Sequence, residues 1–135
     1  TMKKIIALYG RSNTGKTTTL NYLIGFLDEN LEIDDNSLTN NRKEVIYYKN
    51  KKIAVTTPGD NKSELKKNIE YFKNKDCDIL VTATRTKGAT REELKKYAQD
   101  IKTEIIWIKK EISETSATLI NKKQAKDIQA IIDKL

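Results

Sequence analysis

Apolar residues recur along the chain in two spacings. Ile5-Ile6-Ala7-Leu8-Tyr9, Ile79-Leu80-Val81 and Ile105-Ile106-Trp107-Ile108 are short unbroken runs. Consecutive rather than alternating apolar positions predict strands covered on both faces. The predicted strands run over 3–9, 78–83 and 104–108. Elsewhere the spacing is helical. Leu20, Leu23, Ile24 and Leu27 predict a helix from Gly15-Lys16 to Leu27, in which Gly25 marks a weaker, closely packed point. Leu65, Ile69 and Phe72 predict a second helix, and Leu94, Tyr97, Ala98 and Ile101 a third. Ile128, Ile131, Ile132 and Leu135 mark a fourth, opened by Thr115 or Ser116. Asn61 with Glu64, and Thr90 with Glu93, have the spacing of capping boxes.

Two β-rich runs, 44–48 and 52–57, flank Lys49-Asn50-Lys51 and predict a hairpin that ends at Pro58-Gly59. The polar stretch from Asp28 to Lys43 predicts an exposed, mobile loop, long enough to suggest function. The order is strand, helix, hairpin, helix, strand, helix, strand, helix. It predicts an α/β fold: a mostly parallel five-stranded sheet with a hairpin at one edge and helices on both faces. A single domain over 1–135 is expected, with no internal repeat.

The chain of 135 residues carries a formal charge of +7, with 26 basic and 19 acidic residues. An excess of this size suits a polyanionic partner. A nucleoside triphosphate already meets that description, so nucleic acid is not expected as a main partner. The chain has one cysteine and no histidine. Intrachain disulfides, a His-based triad and His-ligated metals are thereby excluded. No apolar run reaches membrane-spanning length, and the run after Lys3-Lys4 ends at a glycine turn rather than continuing as a leader. A cytoplasmic location without membrane contact is expected. Cys77 and Trp107 read as structural residues, and one of Tyr47 and Tyr48 should face the core by alternation.

Gly10-Arg11-Ser12-Asn13-Thr14-Gly15-Lys16-Thr17 has the form G-x-x-x-x-G-K-[ST], a Walker A phosphate-binding loop. It lies between a predicted buried strand and a predicted helix N-terminus, where its physics requires it. Gly10 permits the turn out of the strand, and Gly15 lets the backbone approach the phosphates. Backbone N–H groups from Asn13, Thr14, Gly15, Lys16, Thr17 and Thr18 can point inward at phosphate oxygens, aided by the helix dipole. Lys16 would pair with the β- and γ-phosphates, and the Thr17 hydroxyl would ligate Mg²⁺.

Over nearly its whole length the chain resembles the P-loop NTPase superfamily, with Gly10–Thr17 as the specific part. Its hairpin resembles the arrangement in Ras-like GTPases. That resemblance implies a three-layer P-loop NTPase fold, with the strand ending at Thr56 beside the phosphate-loop strand. It lays the D-x-x-G pattern on Thr56-Thr57-Pro58-Gly59. The Gly59 N–H would then meet the γ-phosphate. Thr56 would stand in for the Asp that holds Mg²⁺ through water, and Asp60 would orient the attacking water. The N-K-x-D motif that reads guanine is missing at the 82–88 loop. Arg85 there could stack on a base or reach a phosphate. By position, the 28–43 loop resembles a nucleotide-sensing switch, with Ser37, Thr39, Asp34 and Asp35 as weaker metal candidates.

These residues point to a small Mg²⁺-dependent NTPase that hydrolyses the γ-phosphate. ATP is preferred over GTP because the guanine motif is missing. Lys16 and Asp60 are the expected catalytic residues, and a protein activator or second subunit would raise a slow intrinsic rate. The alternatives are a small-molecule or nucleotide kinase, with Arg85, Lys87 and Arg91 at the acceptor, and a non-catalytic nucleotide-dependent switch.

Overall fold

The computed structural model describes residues 2–135. Five strands, β1 (Lys4–Tyr9), β2 (Lys43–Tyr48), β3 (Lys51–Thr56), β4 (Ile79–Thr84) and β5 (Ile105–Lys109), form one sheet. Four helices accompany them: α1 (Lys16–Leu27), α2 (Lys62–Asn74), α3 (Ala89–Asp100) and α4 (Ala117–Lys134). The sheet is parallel except for β2, which pairs antiparallel with β3 as an edge hairpin. Lys49 and Asn50 form its two-residue turn, both at positive φ (47° and 65°), as a primed turn requires.

Successive side chains of β1 point to opposite faces, and each face has its own core. Ile6 and Leu8 meet Leu20, Leu23 and Ile24 of α1 and Ala125, Ile128 and Ile132 of α4. Ile5 and Ala7 meet Leu65, Ile69 and Phe72 of α2 and Leu94 and Ala98 of α3. The result is three layers, α1/α4, sheet and α2/α3. No helix is long and apolar enough to cross a membrane among the described residues.

The strand order is β2-β3-β4-β1-β5. The expected adjacency of β3 to β1 is therefore corrected: β4 lies between them. The physical reason is visible in β4 itself. All six of its residues are buried, so it needs helices on both faces and strands on both edges. β1 supplies one edge through Ile5↔Leu80 and Ile6↔Val81, and β3 the other through Ala54↔Leu80 and Val55↔Val81.

Smaller expectations resolve locally. Asn61 caps α2, its side chain accepting from the Glu64 N–H at 2.9 Å, while Glu64 reaches back to the Asp60 N–H at 3.0 Å. Thr90 is not a cap. Gly88 opens α3, and the Thr90 hydroxyl accepts from the Arg85 N–H at 3.0 Å. Gly25 has open space where a Cβ would lie, so close packing does not explain it. Cys77 is buried, and burial pushes its thiol above the ordinary range. Tyr48 packs on the core while Tyr47 is exposed. Trp107 is only half-buried, because β5 is the far edge of the sheet.

Gly59 lies where the chain leaves β3 and crosses against β4. A Cβ there would sit 2.1 Å from the backbone oxygen of Ala83. Overpacking against a fixed backbone typically costs 1–3 kcal/mol, occasionally more. Gly59→Ala is expected to destabilise the fold by about 2 kcal/mol or more in urea unfolding. Unchanged stability would show that this approach is looser than described.

Candidate functional site

Three parallel strands end level with one another. Tyr9 is in register with Thr84 of β4 and with Lys109 of β5. The Gly10 N–H donates to the Thr84 carbonyl at 3.2 Å, and the Lys110 N–H to the Tyr9 carbonyl at 2.8 Å. The loop that follows is thus anchored on both sides. Asn13 and Gly15 take positive φ (61° and 94°), and the Thr14 hydroxyl closes the turn onto the Arg11 carbonyl at 2.8 Å. Gly15 opens α1 with no side-chain cap, which leaves the first-turn N–H groups available to an anion. Any side chain there would be strained by the positive φ, and its Cβ would come within 2.8 Å of Asn121 Oδ1, so that amide would have to shift. Asn121 belongs to α4 and accepts from the Thr19 hydroxyl at 3.2 Å, so α4 backs the loop.

Lys16 is 6% exposed. Its ammonium donates to the Gly10 carbonyl at 2.6 Å and the Thr84 carbonyl at 3.0 Å, and lies 3.8 Å from the Asp60 carboxylate. Burial lowers its pKa below the ordinary lysine value, the Asp60 charge opposes that, and the Arg85 charge adds to it. A cation held mainly by carbonyl dipoles is well placed to attract phosphate.

Around it lies a cleft of about 350 Å³, lined by Asn13, Gly15, Lys16, Thr17, Thr18, Thr39 and Asp60. The motif residues and Asp60 are therefore brought together, as is Thr39 from the 28–43 loop. The expectation of an irregular, mobile loop is refined here. Asp34 caps a 3₁₀ turn over Asp35–Ser37, and Leu38 is buried. The buried Asn21 amide of α1 donates to the carbonyls of Leu38 at 2.7 Å and Asn40 at 2.9 Å. Asn21 thus brackets Thr39 and fixes it at the cleft. Further on, the Arg42 N–H donates to the Thr57 hydroxyl at 2.9 Å, and the Thr57 N–H to the Arg42 carbonyl at 3.0 Å.

Other expected residues lie elsewhere. Thr56 is fully buried, and its hydroxyl donates to Thr82 Oγ1 at 2.8 Å. Asn68 of α2 donates to the same Thr82 oxygen at 3.2 Å and to the Pro58 carbonyl at 2.7 Å. Thr56 therefore belongs to a buried polar cluster between β3, β4 and α2 and is not among the residues that line the cleft. Gly59 does not line the cleft either, and its packing against Ala83 accounts for it. Arg85 lies at the Asp60 end, its Nε donating to the Asp60 carbonyl at 3.0 Å. Arg91 stacks on Trp107 and Tyr9, 3.9 and 4.9 Å from the ring centroids, and donates to the Thr86 carbonyl at 3.2 Å. It braces the loop instead of facing an acceptor.

Asn21, Asn121 and Lys110 were not read from the sequence. Lys110 is buried beside Gly10, its ammonium bonded to the Glu111 carbonyl, and burial lowers its pKa. Asn21 and Asn121 lie inside helical patterns, where a polar residue gives no periodic signal of such a role, and Lys110 follows the last strand as one of many lysines.

The donors at the cleft suit Mg²⁺, which prefers oxygen ligands and combines few protein groups with substrate phosphates. Thr17 and Thr39 offer hydroxyls and Asp60 a carboxylate, and no cluster of three acidic, His or Cys side chains occurs among the described residues.

The pattern of the family described as "50S ribosome-binding GTPase" matches residues 5–129. GTPase Der of Buchnera aphidicola subsp. Baizongia pistaciae is 35% identical over 94 residues, which is 61% of this chain and 20% of that protein. The chain therefore matches only a fifth of that relative's length. No solved structure gives a significant match. With its phosphate-binding loop inside the matched span, the chain belongs to the 50S ribosome-binding GTPase family of P-loop proteins.

Proposed function

We propose that this domain binds GTP with Mg²⁺ and hydrolyses its γ-phosphate. The observation that carries the reading is the desolvated Lys16 ammonium, set between two carbonyls and facing Asp60 at the mouth of an uncapped helix. The sequence-based preference for ATP rested on a missing tetrapeptide alone, and family membership favours guanine instead.

Each residue then has a task. The N–H groups from Asn13 to Thr18 cradle the phosphates, and Lys16 turns from its carbonyl partners to the β- and γ-oxygens. Thr17 and Thr39 would hold Mg²⁺, which when bound neutralises charge across those oxygens. Asp60 orients the attacking water at the γ end, with Arg85 fixed behind it. Asn21 keeps Thr39 in place. Thr56 ties β3 to β4 through its hydrogen bond to Thr82 and lies outside this set of Mg²⁺ ligands. The family description adds the large ribosomal subunit as a candidate partner, compatible with the charge of +7.

Lys16→Ala is expected to weaken GTP binding at least 100-fold, roughly 2.7 kcal/mol, with ATP at least tenfold weaker than GTP on the parent protein. Retained affinity in the variant would overturn the site, and equal affinity for ATP would overturn the base assignment. In single-turnover assays Asp60→Ala should slow phosphate release at least tenfold while GTP affinity stays within threefold. An unchanged rate removes Asp60 from the chemistry. Asn21→Leu should raise the Mg²⁺ concentration needed for half-maximal GTP binding several-fold. No change would mean that Thr39 needs no such bracket.

A further inference from the structure

The phosphate-binding loop has two walls. Its second half lines the cleft described above. Its first half, Arg11 and Ser12, lines a different cleft of about 630 Å³, closed on the other side by Arg85, Thr86 and Lys87. That volume is within the range of small-molecule sites. Three of these five residues are cationic and none is acidic. Arg11, Arg85 and Lys87 form no salt bridge among the described residues.

Unpaired like charges in one concavity repel, so something else must hold them together. The 85–88 segment is tied down at its first two residues. The Arg85 N–H donates to the buried Thr90 hydroxyl at 3.0 Å, and the stacked Arg91 guanidinium holds the Thr86 carbonyl at 3.2 Å. Arg11 is held from the other side by the Thr14 hydroxyl on its carbonyl at 2.8 Å. The fold thus maintains a concentration of positive charge that its own side chains do not neutralise.

Arg85 also locates this second cleft relative to the first. Its Nε reaches the Asp60 carbonyl at 3.0 Å, and Asp60 lies 3.8 Å from the Lys16 ammonium. The cationic cleft therefore begins where a γ-phosphate would end. We infer that the Arg11–Arg85–Lys87 cleft binds a phosphate-bearing small molecule next to the γ end of the nucleotide. Two guanidinium forks and one ammonium match a phosphate dianion, whose oxygens accept several charge-assisted bonds at once. The cleft is larger than inorganic phosphate needs, which favours a phosphate monoester whose organic part fills the remainder. The placement rests on the reading that the Lys16 cleft holds the triphosphate.

The test uses the full chain saturated with Mg²⁺ and a non-hydrolysable GTP analogue, so that the γ position is filled. Glycerol phosphate and inorganic phosphate are titrated in turn. Arginine Nε–H resonances and the fluorescence of Trp107, which carries the stacked Arg91, report binding. Both ligands should give saturable shifts, glycerol phosphate at least threefold tighter. Lys87→Ala should weaken both at least tenfold and leave analogue affinity within twofold. The inference is overturned by no saturable response, by an identical response in Lys87→Ala, or by competition with the analogue. Equal or tighter binding of inorganic phosphate overturns the monoester assignment. If the analogue does not bind, the nucleotide reading fails separately. The same titrations on the nucleotide-free parent and Lys87→Ala proteins then still decide the cleft.

Discussion

An ammonium group buried beneath a turn is the constraint on which this structure depends. Lys16 sits where β1 passes into α1, and its charge is met by the carbonyls of Gly10 and Thr84, with the Asp60 carboxylate farther off at 3.8 Å. That arrangement needs β4 beside β1, ending in register with it, because Thr84 supplies one of the two carbonyls. It needs Gly15 at positive φ to turn the chain into the helix, and α4 behind the turn to support it through Asn121. The sheet order, the glycine and the last helix thus serve one charged group. Burying it lowers its pKa and leaves it ready for a stronger partner than a peptide dipole.

Much of this was legible in the sequence. Each strand and helix follows from an apolar run or a helical stripe, and the phosphate loop from its spacing. What could not be read is pairing across the chain. Ile79–Thr84 declares itself a central strand by composition, yet nothing local says that it separates β1 from β3. The setting of Thr56 follows from that one adjacency: with β4 interposed, its hydroxyl meets Thr82. Gly59 matched a nucleotide-sensing glycine by spacing, but the close approach of the Ala83 carbonyl gives it a structural cause. Asn21 was hidden for a different reason. A single amide between apolar helix positions looks solvent-facing until the loop it holds is placed over it.

The two clefts divide the labour of one loop. Asn13 and Gly15 to Thr18 line the Lys16 cleft, while Arg11 and Ser12 line the cationic one. Asp60 and Arg85 meet between them. The positive charge of Arg85 lies close enough to add to the lowering of the Lys16 pKa, behind the larger effect of burial. Stability carries the same signature. While Lys16 stays protonated its burial opposes folding, and this cost is relieved as pH rises from its folded pKa toward the ordinary lysine value.

Titration of the Lys16 Nζ by NMR decides whether this group is a desolvated cation that receives phosphate. In the nucleotide-free protein its pKa should lie below the ordinary lysine value. It should rise when GTP and Mg²⁺ bind, so that GTP affinity falls as pH passes upward through the free-state pKa. An ordinary lysine pKa that GTP leaves unmoved would show that Lys16 is neither desolvated nor in contact with the nucleotide.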